Sequence, residues 1–471
     1  EMPFLCACHS FKRTGLILGS LLLILLISLA TSSVSAFEED SSSEMAINEA
    51  DIDAISVSGV DGSDINYDVV SAGDADALEK GLVDETTLDA DADGEFLNEG
   101  PTSHRITEST YSTYFNNGTL INSKFNIGDI IDLSGTFKNK DFKINMPLTI
   151  TSSAKDAKLI NCTVQILEGA SGSTISNLFI NNSGITEKNI IYLYAVENIT
   201  VCDNTVFSEG FRSYPVRLFN VSNSNISNNY LESIKGDQMA SPSNIVTTLA
   251  YYNLISNNTI ICDDNNGIYL YSTGGQTGGA YNIISNNDIS SSRPIPSSFC
   301  YGIQLQGYGN TIANNTVHNM YRGISCMGAN DVIDNVIYNI HGSYNSYTGD
   351  NGVDEGGEGA IVASANCNVI GNKISDCFLN NSMASISISG SNVLVENNSI
   401  VNCTGFGMKY GDTDVENLNI INNTIESQNG GIYVSASINN VLIKDNTINT
   451  TNGVGISLAK RSSSKYPSNV T

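Results

Sequence analysis

Positive charge is scarce in this chain: 22 Lys and Arg stand against 49 Asp and Glu in 471 residues, a net charge of −27. A surface that tracks phosphates must be basic somewhere, and no Lys/Arg-rich stretch occurs, so nucleic-acid binding is excluded. Clustered metal ligands are missing as well. His104, His318 and His341 are far apart in sequence and no Cys-x-x-Cys occurs, which leaves little from which to build a metal centre. An exported metal-handling maturation factor is therefore set behind the readings developed below. Helical periodicity is nearly absent, and that turns attention to short strands.

One long apolar run is present. "GLILGSLLLILLISLA" (15–30) follows Lys12 and Arg13 and precedes "VSA" ending at Ala36, the layout of an export signal. Residues 1–36 are read as a signal peptide cleaved after Ala36, since 16 apolar residues are short for a hydrocarbon core of about 30 Å. Membrane association is expected only through this segment, if it stays uncleaved. Residues 37–100 form an acidic spacer: between 38 and 100 there are 20 Asp/Glu against Lys80 alone. Such a composition cannot bury enough apolar surface to offset chain ordering, so disorder is expected there. "DADADG" (89–94) makes calcium a candidate, but no bidentate Glu follows at loop spacing, so no cofactor is expected.

The remaining chain repeats. "SNNTI" (256–260), "SNNDI" (285–289), "ANNTV" (313–317) and "ENNSI" (396–400) share an asparagine pair before an apolar position. The second asparagine recurs at Asn177, Asn204, Asn229, Asn258, Asn287, Asn315, Asn335, Asn372, Asn398, Asn423 and Asn446, at intervals of 20–37 residues. Intervals of this size mark a solenoid. A short apolar strand precedes each marker and another follows it. A third usually opens with glycine, as in "GIYL" (267–270), "GIQL" (302–305) and "GIYV" (431–434). The pattern predicts an all-β, right-handed parallel β-helix of about eleven or more three-strand coils, with residues 101–176 as N-terminal cap and first coils and 177–471 as the repeats. The marker asparagines are expected to take the left-handed turn conformation and to stack as an amide ladder.

The signal-like run, the acidic spacer, the segment "YSTYFNNGTL…GTFKNKDFKINMPLTITS" and the coils of type "NNTI…GIYL" together resemble the pectate-lyase-like right-handed β-helices. Within these, the chain is similar to the adhesin-like surface proteins of methanogenic archaea, over roughly residues 101–471. That resemblance implies a surface-displayed, adhesive role.

Extra length collects beside the glycine-strands, in "SSSRPIPSSFC" (290–300), "HGSYNSYTGDNGVDEGGEG" (341–359) and "STGGQTGGA" (272–280). Loop growth on one face is the signature of a binding face in a repeat protein. Period-2 reading turns Tyr192, Tyr194, Arg217, Tyr269, Tyr271, Gln304, Gln306, Ser325, Lys409 and Tyr433 outward on that face, a set suited to sugar rings and hydroxyls or to cross-strand pairing alone. No Asp or Glu occupies these positions, so no catalytic residue is assigned. The enzymatic alternative, a polysaccharide lyase or glycoside hydrolase, draws on Asp263, Asp264, Asp350 and Glu355, with Asp354 and Glu358 near Arg322 as its centre. Cys377 and Cys403 each lie five residues after a marker, which stacks them on adjacent coils at disulfide distance or as buried thiols. The reading is a secreted or cell-surface protein that binds glycans or another cell's surface.

Overall fold

The computed structural model divides into two units, Glu1–Glu95 and Phe96–Thr471. The described residues lie in the second: 100–182, 188–209, 213–234, 243–263, 265–272, 278–293, 300–342, 359–380, 383–411, 415–435, 438–459 and 468–471. The expected signal peptide and nearly all of the acidic spacer fall outside them. No helix among the described residues is long and apolar enough to cross a membrane.

Described residues of the second unit form three parallel sheets wound as a β-helix. One coil shows the plan: Leu254–Ser256 belongs to sheet 1, Thr259–Cys262 to sheet 2, Asn266–Leu270 to sheet 3, and Ile283–Ser285 returns to sheet 1 beside Leu254–Ser256. Among the described residues the sheets hold 15, 13 and 16 strands. Apart from the short antiparallel pair Phe115–Asn116 and Thr119–Leu120, each strand pairs in parallel with the one a full coil away, so inward side chains stack coil upon coil.

The pairing stacks apolar residues in columns. In sheet 1, Ile255, Ile284, Ile312, Val332, Val369 and Val395 are successive partners. Ile260, Ile289, Val317, Ile337, Ile374 and Ile400 do the same in sheet 2. Ile268, Ile303, Ile324, Ile361 and Ile386 do so in sheet 3. All are buried. β-Branched side chains are stiff at χ1 and fit a pleated surface, which is why these columns are written in Ile and Val. Glycine opens the sheet 3 strands for a steric reason: a Cβ on Gly302 would lie 2.3 Å from Val317 Cγ1, and one on Gly323 would lie 2.1 Å from the Ala360 carbonyl oxygen.

The turn from sheet 1 to sheet 2 carries the asparagine ladder. Asn258 is representative: its Oδ1 accepts from the backbone N–H and the Nδ2 of Asn229, both at 3.0 Å. Its Nδ2 donates to Ile226 O at 2.8 Å and to Asn287 Oδ1 at 2.9 Å. Two donors and two lone pairs are thereby all used inside the core, which is what allows a primary amide to be buried at no net loss. The amide chain runs unbroken through Asn204, Asn229, Asn258, Asn287, Asn315, Asn335, Asn372, Asn398, Asn423 and Asn446. Two expectations are corrected here. The left-handed conformation belongs to the residue before each ladder asparagine, such as Asn257 (φ 54), Asn286 (φ 56) and Asn314 (φ 56). Asn177 is itself left-handed (φ 54) and is not a rung; Leu178 takes the rung position and donates its N–H to Asn204 Oδ1 at 3.1 Å.

The N-terminal coils are closed by aromatics. Tyr111, on the four-residue helix Tyr111–Tyr114, stacks on Phe115 at 4.9 Å, and both meet Phe142 edge-on. Beside them the buried Asp129 carboxylate accepts the backbone N–H groups of Thr102 and Asn126 and pairs with His104 Nε2, each at 2.9 Å.

Candidate functional site

The outward face of sheet 3 brings most of the expected binding residues into one line. By register the line runs Gln165, Tyr192, Arg217, Val246, Tyr269, Gln304, Ser325, Val362, Ser387, Lys409, Tyr433 and Ser457. Along it no position holds a carboxylate. A second line, two residues further along each strand, holds Tyr194 beside Phe219. Tyr271 and Gln306 belong to the same second line, since Leu270 pairs with Leu305.

Exposure divides this face. Tyr194 is 38% exposed and stacks on Phe219 with centroids 5.7 Å apart and planes 14° from parallel. Tyr192 lies beside Tyr194 at 5.9 Å, and the Arg217 guanidinium sits 5.8 Å from the ring centroids of both Tyr192 and Tyr214. These half-open rings and one cation make a continuous patch. Sequence reasoning missed Phe219, which keeps the period-2 phase of Arg217, and Tyr214, which lies three residues before it and so falls outside that phase.

The middle of the face is closed. Tyr269 points away from the core yet is 7% exposed, and burial pushes its phenol up to about 12. Ser325 is also buried. Tyr271, 42% exposed, stands at the edge of this closed region, where Gln306 Oε1 accepts the N–H of Ser272. Lys409 and Tyr433 lie further along, half-buried, with Phe406 packed against Tyr433 at 5.2 Å.

Of the residues considered for catalysis, Asp264, Asp350, Asp354, Glu355 and Glu358 lie outside the described residues. Arg322 hydrogen-bonds to the Tyr301 hydroxyl and covers the Tyr301 ring at 4.9 Å and the Tyr321 ring at 5.4 Å. Asp263 accepts from Nε and Nη2 of Arg293, the latter at 3.2 Å. His318 contacts Asp288 Oδ1 at 3.1 Å and stacks on Tyr338, while His341 stacks on Phe378. Among the described residues no group of three or more His, Cys, Asp and Glu could hold a metal ion. Cys377 and Cys403 are buried free thiols. Their mutual hydrogen bond and burial keep Cys377 protonated.

The turn from sheet 3 back to sheet 1 holds a second ladder that the sequence analysis did not identify. Asn253, Asn282, Asn310 and Asn330 link Nδ2 to Oδ1 at 2.9–3.0 Å. Its signal was in view as the first letter of "NLIS" and "NIIS". By register the column continues as Cys367, Val393 and Leu418, so this ladder is confined to the middle coils.

Residues 340–471 match the family model described as a right handed beta helix region. No curated protein matches the chain. Solved structures with a similar fold include the surface adhesin PfbA of Streptococcus pneumoniae, 12% identical over 76% of this chain and 88% of that one, with a TM-score of 0.44. An alginate lyase from Paenibacillus sp. str. FPU-7 is 14% identical over 63% of this chain and 95% of its own, at a TM-score of 0.38. The catalytic domain of a GH87 alpha-1,3-glucanase is 16% identical over 73% of this chain and 63% of its own, at 0.41. At these identities the likeness is one of fold and says nothing of what this chain does.

Proposed function

We propose that this chain is a secreted or cell-surface, adhesin-like β-helix protein that binds glycans without turning them over, through the outward face of sheet 3. The observation that carries the reading is the patch of Tyr192, Tyr194, Arg217, Tyr214 and Phe219. Aromatic faces pack on the apolar faces of sugar rings, and a guanidinium supplies donors to hydroxyls. The apolar run before Ala36 supports export, and the resemblance to adhesin-like surface proteins points the same way. Glycan-array and polysaccharide pull-down assays on the exported chain test it, with and without calcium, alongside detection of released reducing or unsaturated sugar ends. Retention without turnover, weakened by Tyr194→Ala, is the expected result. Turnover abolished by Asp354→Asn or Glu358→Gln would replace it with a lyase or hydrolase.

A further inference from the structure

The left-handed position of the turn from sheet 3 to sheet 1 is held by asparagine in coil after coil: Asn198, Asn223, Asn366, Asn392, Asn417 and Asn440. Two middle coils break the rule. There Tyr252 (φ 57) and Tyr281 (φ 58) occupy the position, and the next coil has Gly309 (φ 66) with Tyr308 beside it. An aromatic residue in this conformation is strained where asparagine is tolerated. The strained residues are also wasteful of apolar surface, being 60% and 48% exposed, with Tyr308 at 48%. Tyr252 and Tyr281 stack at 5.2 Å with planes 10° from parallel, and Tyr308 meets Tyr281 edge-on at 5.6 Å. Glycine at 309 is required for this arrangement, because a Cβ there would lie 2.7 Å from the Tyr281 ring. Beneath the three rings lies the second asparagine ladder, Asn253, Asn282 and Asn310, which fixes their spacing.

We infer that Tyr252, Tyr281 and Tyr308 form a ridge that binds a neutral polysaccharide strand lying along the β-helix axis. Three rings in single file on a convex corner match a linear polymer better than a protein surface, which needs about 800 Å² per partner. Segments 249–256, 278–285 and 306–313 contain no Asp, Glu, Lys or Arg, so the ridge's own segments offer no charge with which to recognise a charged sugar. Tyrosine supplies an apolar ring edge and a hydroxyl together, the pairing a pyranose presents in return. Strained conformations that persist where a relaxed residue is available mark sites kept for something other than stability. This deepens the glycan-binding reading and places a second contact on a different surface from the Tyr194 patch.

The test compares the full exported chain with the double variant Tyr252→Asn/Tyr281→Asn and with Tyr194→Ala, by affinity electrophoresis in dextran, mannan and laminarin, with alginate as the charged comparison, and by thermal unfolding. The ridge variant is expected to lose about ten-fold in retention by at least one neutral polymer. Its Tm should be no lower than that of the parent, since the substitution installs the residue used by the equivalent coils. Loss of neutral-polymer retention only in Tyr194→Ala overturns the ridge and leaves the sheet 3 reading standing. No retention of any polymer by the parent overturns both. A large fall in Tm for the ridge variant assigns the tyrosines to packing and overturns the inference. So does a parent that self-associates through the ridge, seen as a dimer converted to monomer by the double variant.

Discussion

The two asparagine turns of this β-helix use the same chemistry to different ends. At the turn from sheet 1 to sheet 2, the left-handed residue is Asp203, Asn228, Asn257, Asn286, Asn314, Asp334, Gly371, Asn397, Asn422 or Asp445, and the amide ladder behind it is continuous. At the turn from sheet 3 to sheet 1, the buried ladder covers only the middle coils, later coils are linked by exposed amides from Asn366 to Asn440, and two of the middle coils put tyrosine at the left-handed site. A turn whose only task is stacking keeps to Asn, Asp and Gly, the residues that take the left-handed conformation with least strain. A turn that departs from them is free to carry something else.

The strongest way to break the comparison is to cut the continuous ladder. Asn335→Ala removes the acceptor for the N–H and Nδ2 of Asn315 and the donor to Ile312 O, leaving buried polar atoms without partners. Each such orphan costs about 1–3 kcal/mol, so a loss of about 3–5 kcal/mol is expected in urea unfolding. Asn446→Ala should cost about 1 kcal/mol, because Asn446 is half-exposed and water can replace its bonds. Equal losses at the two positions would show that the ladder is not what holds the turn.

A smaller effect comes from exchanging the two turns' residues. Asn314 (φ 56) carries the same conformation as Tyr281, so Asn314→Tyr should destabilise by about 1–2 kcal/mol through left-handed strain alone. Urea midpoints measure it. A neutral result would mean that tyrosine is not strained at these sites, and the argument from Tyr252 and Tyr281 would lose its first step.

Amide ladders do not titrate, whereas the N-terminal cap does. Burial pushes the Asp129 carboxyl up, but hydrogen bonds from the Asn126 N–H, His104 and the Thr102 N–H outweigh it and hold it below the usual carboxylate value. A carboxyl depressed in the folded state adds stability above its unfolded pKa of about 3.9 and loses it as pH falls through the folded value. Acid should therefore loosen the cap before the coils. Hydrogen exchange at Ile130–Leu133, compared between pH 5 and pH 3, should show the loss, and Asp129→Asn should flatten it.

The fold was legible because it is repetitive: each copy of the motif is weak, but the spacing of Asn204 through Asn446 admits few architectures besides a coil. What the repeat hid was the division of labour within the pair. In "SNNTI" the first asparagine turns the chain and the second bonds, and a sequence shows two identical letters. Asn177 went astray for the same reason, being a lone asparagine that does the first job and not the second. The face was legible in direction but not in depth. Period 2 tells which way Tyr194 and Tyr269 point, whereas exposure depends on what the rest of the chain lays over them.

That last distinction yields the smallest and sharpest expectation. Tyr194 and Tyr269 both read as outward residues of one face, on its two neighbouring lines, yet they are 38% and 7% exposed. If glycan binds through the open rings, Tyr194→Ala should weaken retention about ten-fold, while Tyr269→Phe, which keeps the buried ring and drops only its hydroxyl, should leave it unchanged. The converse pattern would mean that the closed middle of sheet 3 opens to admit ligand. The binding face would then centre on Tyr269 and Gln304, beside the long insertions, and not on the Arg217 patch.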